Sequence, residues 1–129
     1  MIRRVTKSER FDDAIVKAAR IAKIAGVRAG TEHRYTGVWI VVVDDRLFVR
    51  SWNDKPTGWF RAFRNQPTGM LKIATREFPV RGKPVPSSPI RAAVTKAFAE
   101  KYDTKASQKW VKGFGEPERL RKTLEFVPC

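Results

Sequence analysis

At 129 residues and 42% hydrophobic, the chain is the size of one domain, taken here as 1–129, and too apolar to be disordered throughout. No run nears the ~18 consecutive apolar residues of a membrane span, and no apolar stretch follows Met1-Ile2-Arg3-Arg4 as in a secretory leader. The balance of 27 Lys+Arg against 13 Asp+Glu, a formal +14, attracts polyanions, yet basic residues occur in every segment rather than in one tail.

Residues 6–25 read as a helix. Thr6 and Glu9 have capping-box spacing, Phe11, Ile15, Ala18 or Ala19, and Ala22 recur at three- and four-residue steps, and Gly26 stops the run. Lys17, Arg20 and Lys23 make a solvated ridge at i+3 spacing. The stretch 27–37, VRAGTEHRYTG, lacks periodicity and reads as a loop carrying the only histidine, His33. Residues 36–128 are expected to form the core that follows the first helix.

Val38–Val43 is a β-branched run, Asp44-Asp45 a turn, and Arg46–Trp52 a second run, so 38–52 predicts an antiparallel hairpin. The first strand is apolar on both faces and should be central and covered on both sides. After the loop 53–58 (NDKPTG), Trp59–Asn65 is a short helix with Trp59 and Phe63 on one face. Met70–Thr75 and Phe78–Val85 form a second strand pair around Arg76-Glu77, the latter strand's prolines suggesting an edge.

Ser88 as N-cap and Pro89 open another helix, with Ile90, Val94, Ala97 and the stem of Lys101 inward and Phe98 and Tyr102 beside them. A shorter helix follows at Ser107–Lys112, closed by Gly113 and Gly115, and Leu120–Val127 returns as a strand. The order α-ββ-α-ββ-α-α-β predicts an α+β fold with a mostly antiparallel sheet.

Much chemistry is excluded. One histidine and one cysteine, Cys129, do not furnish the three or four ligands of a usual zinc site, and the lone cysteine fits a reducing cytoplasm. There is no CxxC, HExxH, GxSxG or GxxxxGK[ST]. Any difficult reaction would therefore belong to a borrowed cofactor. The residues best suited to one surround 50–64. Arg50 and Ser51 end a strand, Lys55 follows, and Thr57 and Gly58 open a helix whose free amides suit a phosphate. Arg61 and Arg64 add cations, and Trp52 or Trp59 offers a ring for stacking. Two other readings stand beside this one. Arg46, Phe48 and Arg50 interleave charge and aromatic groups as single-strand nucleic-acid platforms do, and a basic structural or interaction module fits the same composition.

The stretch 38–63, VWIVVVDDRLFVRSWNDKPTGWFRAF, resembles the signature of the DUF2255 family. The resemblance continues through FPVRGKPV at 78–85, IRAAVTKAFAEKY at 90–102 and TLEFVP at 123–128. The layout is distantly similar to the deazaflavin-dependent nitroreductases and FMN-binding split-barrel proteins. That similarity implies a six-stranded split barrel, a homodimer, and FMN or a deazaflavin coenzyme in an oxidoreductase. Where those relatives carry T-T-G-[RK]-x-S-G before the first strand, this chain has residues 29–35, AGTEHRY.

Overall fold

The computed structural model describes residues 10–129. The first helix, α1, covers Asp13–Ile21, shorter than the expected 6–25. Thr6 and Glu9 lie outside the described residues. The cap is Asp12, whose carboxylate accepts from the Ile15 amide at 3.0 Å. The helix ends at Ala22, and Gly26 is no stop but part of a strand, β1 (Ala25–Ala29). The segment read as a loop thus holds β1 and a short β2 (Thr36–Val38).

Beyond β2 come β3 (Ile40–Val43) and β4 (Arg46–Arg50), paired antiparallel with Ile40 opposite Val49 and Val43 opposite Arg46. Asp44 and Asp45 both take left-handed backbone, φ 52° and 60°. That geometry matches the right-handed twist of the strands, and aspartate tolerates it better than most residues. β3 stands at one end of the strand order rather than centrally, but the hairpin is apolar on both faces, as its sequence requires. Ile40, Leu47 and Val49 enter one core with α1, while Val41 and Phe48 enter a second under the later helices.

Helix α2 spans Trp59–Asn65 and buries Phe60 and Phe63; Trp59 is only half-buried. Strands β5 (Thr68–Ile73) and β6 (Arg76–Pro84) then pair around Ala74-Thr75, two residues before the expected turn. Helix α3 (Ser88–Lys101) is capped by Ser87, one residue earlier than expected, and buries Val94 and Phe98, with Tyr102 following. A single 3-10 turn at Lys105–Ser107 leads into α4 (Gln108–Phe114), α5 (Pro117–Leu120) and β7 (Thr123–Pro128).

The strand order is β2-β1-β5-β6-β7-β4-β3, and every neighbouring pair is antiparallel. β2 and β3 stand at opposite ends of this order but are separated in sequence only by Trp39. One bent strand therefore serves both ends, and the sheet curls into a nearly closed barrel with a seam there. The molecule is an α+β split barrel. β6 lies between β5 and β7 and is not an edge. Its prolines fit because neither is asked for an interior ladder donor. Pro79 faces the far end of β7, where the Cys129 amide donates to its carbonyl, and Pro84 lies past the start of β5.

The bend leaves the Ile40 peptide groups without a strand partner on one side, and α3 supplies both. The Ile40 amide donates to the Tyr102 hydroxyl at 3.1 Å, and Lys101 Nζ donates to the Ile40 carbonyl at 2.6 Å. The same two side chains reach α1 and its exit, at the carbonyls of Ala19 (2.9 Å) and Lys23 (2.6 Å). Two residues thus fasten helix, seam and helix together.

Candidate functional site

The eight residues singled out between 50 and 64 occupy three settings. Arg50 is inside the protein, 2% exposed. Its Nε donates to Thr123 Oγ1 (2.7 Å), one Nη to Thr95 Oγ1 (2.7 Å) and the Phe114 carbonyl (3.0 Å), and the other to the Arg91 carbonyl (3.0 Å). Burial, with a smaller contribution from the Arg91 charge, lowers its guanidinium to about 10, so it remains charged at neutral pH. This arginine braces β4 against β7, α3 and α4. Ser51 beside it is buried, with Oγ donating to the Asn53 carbonyl.

The second setting is an ion-pair cluster. Arg61 clamps Asp54 with Nε and Nη2, both at 2.9 Å, and Arg64 stands 3.9 Å from the same carboxylate. The hydrogen bond from Arg61 holds the Asp54 carboxyl below its ordinary range. Both arginines thus already have an anion. Lys55 projects into solvent, and its carbonyl accepts from the Gly58 amide at 2.9 Å.

The third setting is a cleft of about 490 Å³ between α2 and the β1–β2 hairpin, and Thr57, Gly58 and Trp59 line it. Facing them are Arg28, His33 and Arg34, with Asn65 and Gln66 at the far end of α2. Two arginines and no carboxylate belong to the lining, but the Arg28 guanidinium stands 3.8 Å from the Glu77 carboxylate outside it. Arg28 lies over the Tyr35 ring at 4.5 Å and donates from Nη1 to the His33 carbonyl at 3.3 Å, while its buried Nε has no acceptor among the described residues. Trp59 meets Phe60 edge-on and leaves the indole at the cleft wall. Together these donors and this ring can hold an anionic group at one end and a flat group at the other.

Reading 27–37 as a loop is right for 30–35, where His33 and Arg34 lie, but it missed that Arg28 stands on a strand. A signal was present: Ala25, Val27 and Ala29 alternate with Gly26 and Arg28, and the strand buries the odd positions. Small residues made that alternation faint.

A second concavity of about 310 Å³ lies elsewhere and shares no residue with the cleft; it is lined by Trp39, Trp52, Trp110 and Phe114. Trp39 stacks on Tyr102 (centroids 4.0 Å, 4° between planes), and Trp52 meets Trp110 and Phe114 edge-on at 5.0 and 5.7 Å.

The barrel with its seam, its hairpin covered on both faces and its basic cleft defines a split-barrel protein of α+β class. Residues 13–125 match the model of the family described as "Uncharacterized protein conserved in bacteria (DUF2255)", and the chain belongs to that family. Among solved structures the fold is similar to the conserved hypothetical protein Rv2991 from Mycobacterium tuberculosis, with a TM-score of 0.60 at 12% identity. The similarity covers 98% of this chain and 85% of that one. None of the curated proteins matches the chain. Among the described residues no helix is long and apolar enough to cross a membrane, and no group of three or more His, Cys, Asp and Glu is placed to hold a metal ion.

Proposed function

We propose that the cleft between α2 and the β1–β2 hairpin binds a phosphorylated flavin-type cofactor, FMN or a deazaflavin coenzyme, and that the protein is a cytoplasmic oxidoreductase. The observation that carries this reading is the composition of the cleft wall: Arg34 with no carboxylate in the lining, beside the Trp59 indole. The volume lies in the range of small-molecule sites. When bound, such a cofactor supplies hydride transfer. The chain's own part is to fix the phosphate with Arg34 and Thr57, to orient the ring against Trp59, and to keep His33 at the rim as a proton carrier.

The single experiment is a titration of FMN and of a deazaflavin coenzyme by fluorescence quenching. Arg34→Glu should weaken binding more than tenfold, because it replaces attraction by repulsion at one contact. Lys17→Glu, on the exposed side of α1, should change it little. Equal losses in the two variants would mean that overall charge, and no defined site, draws the ligand in.

The exposed side chains of Ile21 and Ile24, 68% and 57% accessible, support a homodimer that covers them. Light scattering at micromolar concentration should then give about twice the 14.8 kDa chain mass. A monomer mass would reject it.

A further inference from the structure

Three of the chain's four tryptophans converge on one surface slot, although they come from distant elements: Trp39 at the seam, Trp52 after β4 and Trp110 in α4. The slot is open and almost wholly apolar, and Trp110 is 44% exposed. Its shape is maintained at a cost in helix propensity. Gly113 sits inside α4, and a Cβ there would fall within the Trp52 ring, so glycine is what lets the indole lie against the helix.

Cations surround these rings. The Arg119 guanidinium lies 3.5 Å from the centre of the Trp52 ring and is held there by donating to the carbonyls of Trp52 (2.9 Å) and Gly113 (3.2 Å). Lys109 Nζ stands 5.1 Å over Trp110. From Thr104 to Gly115 the chain carries three lysines, 105, 109 and 112, all exposed, and no carboxylate. That charge pattern selects among occupants. A quaternary ammonium would enter an aromatic site already flanked by Arg119 and Lys109. A second copy of this chain would set the same lysines against their equivalents. A flat ring on a polyanionic backbone satisfies both features, with rings for stacking and cations for phosphates.

We propose that this slot is a binding site for single-stranded nucleic acid, in which a base stacks among Trp39, Trp52 and Trp110 while Lys109, Lys112 and Arg119 hold the flanking phosphates. A duplex keeps its bases stacked in the helix and presents none to the slot, so discrimination between strand types follows from the chemistry.

The test uses the full chain and a fluorescein-labelled oligothymidylate of about 12 nucleotides, with a duplex of equal length, at an ionic strength of about 0.15 M. Anisotropy should show single-strand binding at least tenfold tighter than duplex binding. Trp110→Ala, which removes an exposed ring and leaves the buried core intact, should weaken single-strand binding at least tenfold. Trp59→Ala, in the separate cleft, should leave it unchanged, so that failure here and failure of the cofactor reading remain distinct. Equal affinity for the two strand types, full affinity in Trp110→Ala, or a fall from dimer to monomer mass in that variant with nucleic-acid binding unaltered would each overturn the proposal.

Discussion

Arg50 shows how little a residue's type says about its task. In sequence it stands at a strand end next to a serine and a lysine-bearing loop, the setting of an anion ligand. In the fold it faces inward, and four neutral oxygens accept from it. A planar guanidinium spreads its five donors over a fork that matches those acceptors, whereas an ammonium concentrates three on one atom. Arg50→Lys should therefore destabilise the protein by roughly 3 kcal/mol despite conserving charge, since each stranded buried acceptor costs about 1–3 kcal/mol. A urea melt measures this directly. A loss below about 0.5 kcal/mol would mean that the carbonyls of Arg91 and Phe114 find other donors.

Among the elements, the legible ones were those whose residues announce their own geometry. The hairpin of β3 and β4 could be read because β-branched runs flank two aspartates, and α2 because Trp59–Asn65 is bounded by glycine and proline. The β5–β6 turn was misplaced because Arg76-Glu77 has the polarity of a turn while Ala74-Thr75 has none of its chemistry. Ala74 nevertheless adopts φ 55°, a left-handed conformation with no side chain of its own to offset the strain. Ala74→Gly should accordingly raise stability by about 0.5–1 kcal/mol, against the usual sign of alanine-to-glycine changes. A lower urea midpoint in that variant would show that the turn is unstrained. The cleft was half legible. Thr57, Gly58 and Trp59 come from the well-read α2 region, but Arg28 and Arg34 belong to a hairpin whose strands are too short and too small-residued to signal themselves.

At the scale of the molecule, the seam links folding to pH through Lys101. Burial, aided by the Lys23 charge, pushes its ammonium down to about 8 from an ordinary 10.5. Between those values the unfolded chain holds more protons than the folded one, so stability rises with pH. Below about 8 the penalty of the buried charge is fully present. Tyr102, raised to about 12 mainly by burial, acts in the opposite sense only above its ordinary 10.0. The unfolding midpoint should therefore climb from pH 8 to 10, and Lys101→Met should flatten the climb. An equal climb in both proteins would assign it to relief of the net +14 charge instead.

The position of β7 has a consequence for synthesis. Its residues, Thr123–Pro128, separate β6 from β4, so without them β2-β1-β5-β6 and β4-β3 are joined only through the bent β2–β3 strand. A ribosome delivers these residues after all the strands they must join. The nascent chain therefore exposes two open β edges, one on β6 and one on β4, until residue 128 clears the exit tunnel. Barrel closure thus waits on the last strand to be made, and until then both edges are open to pairing with another chain.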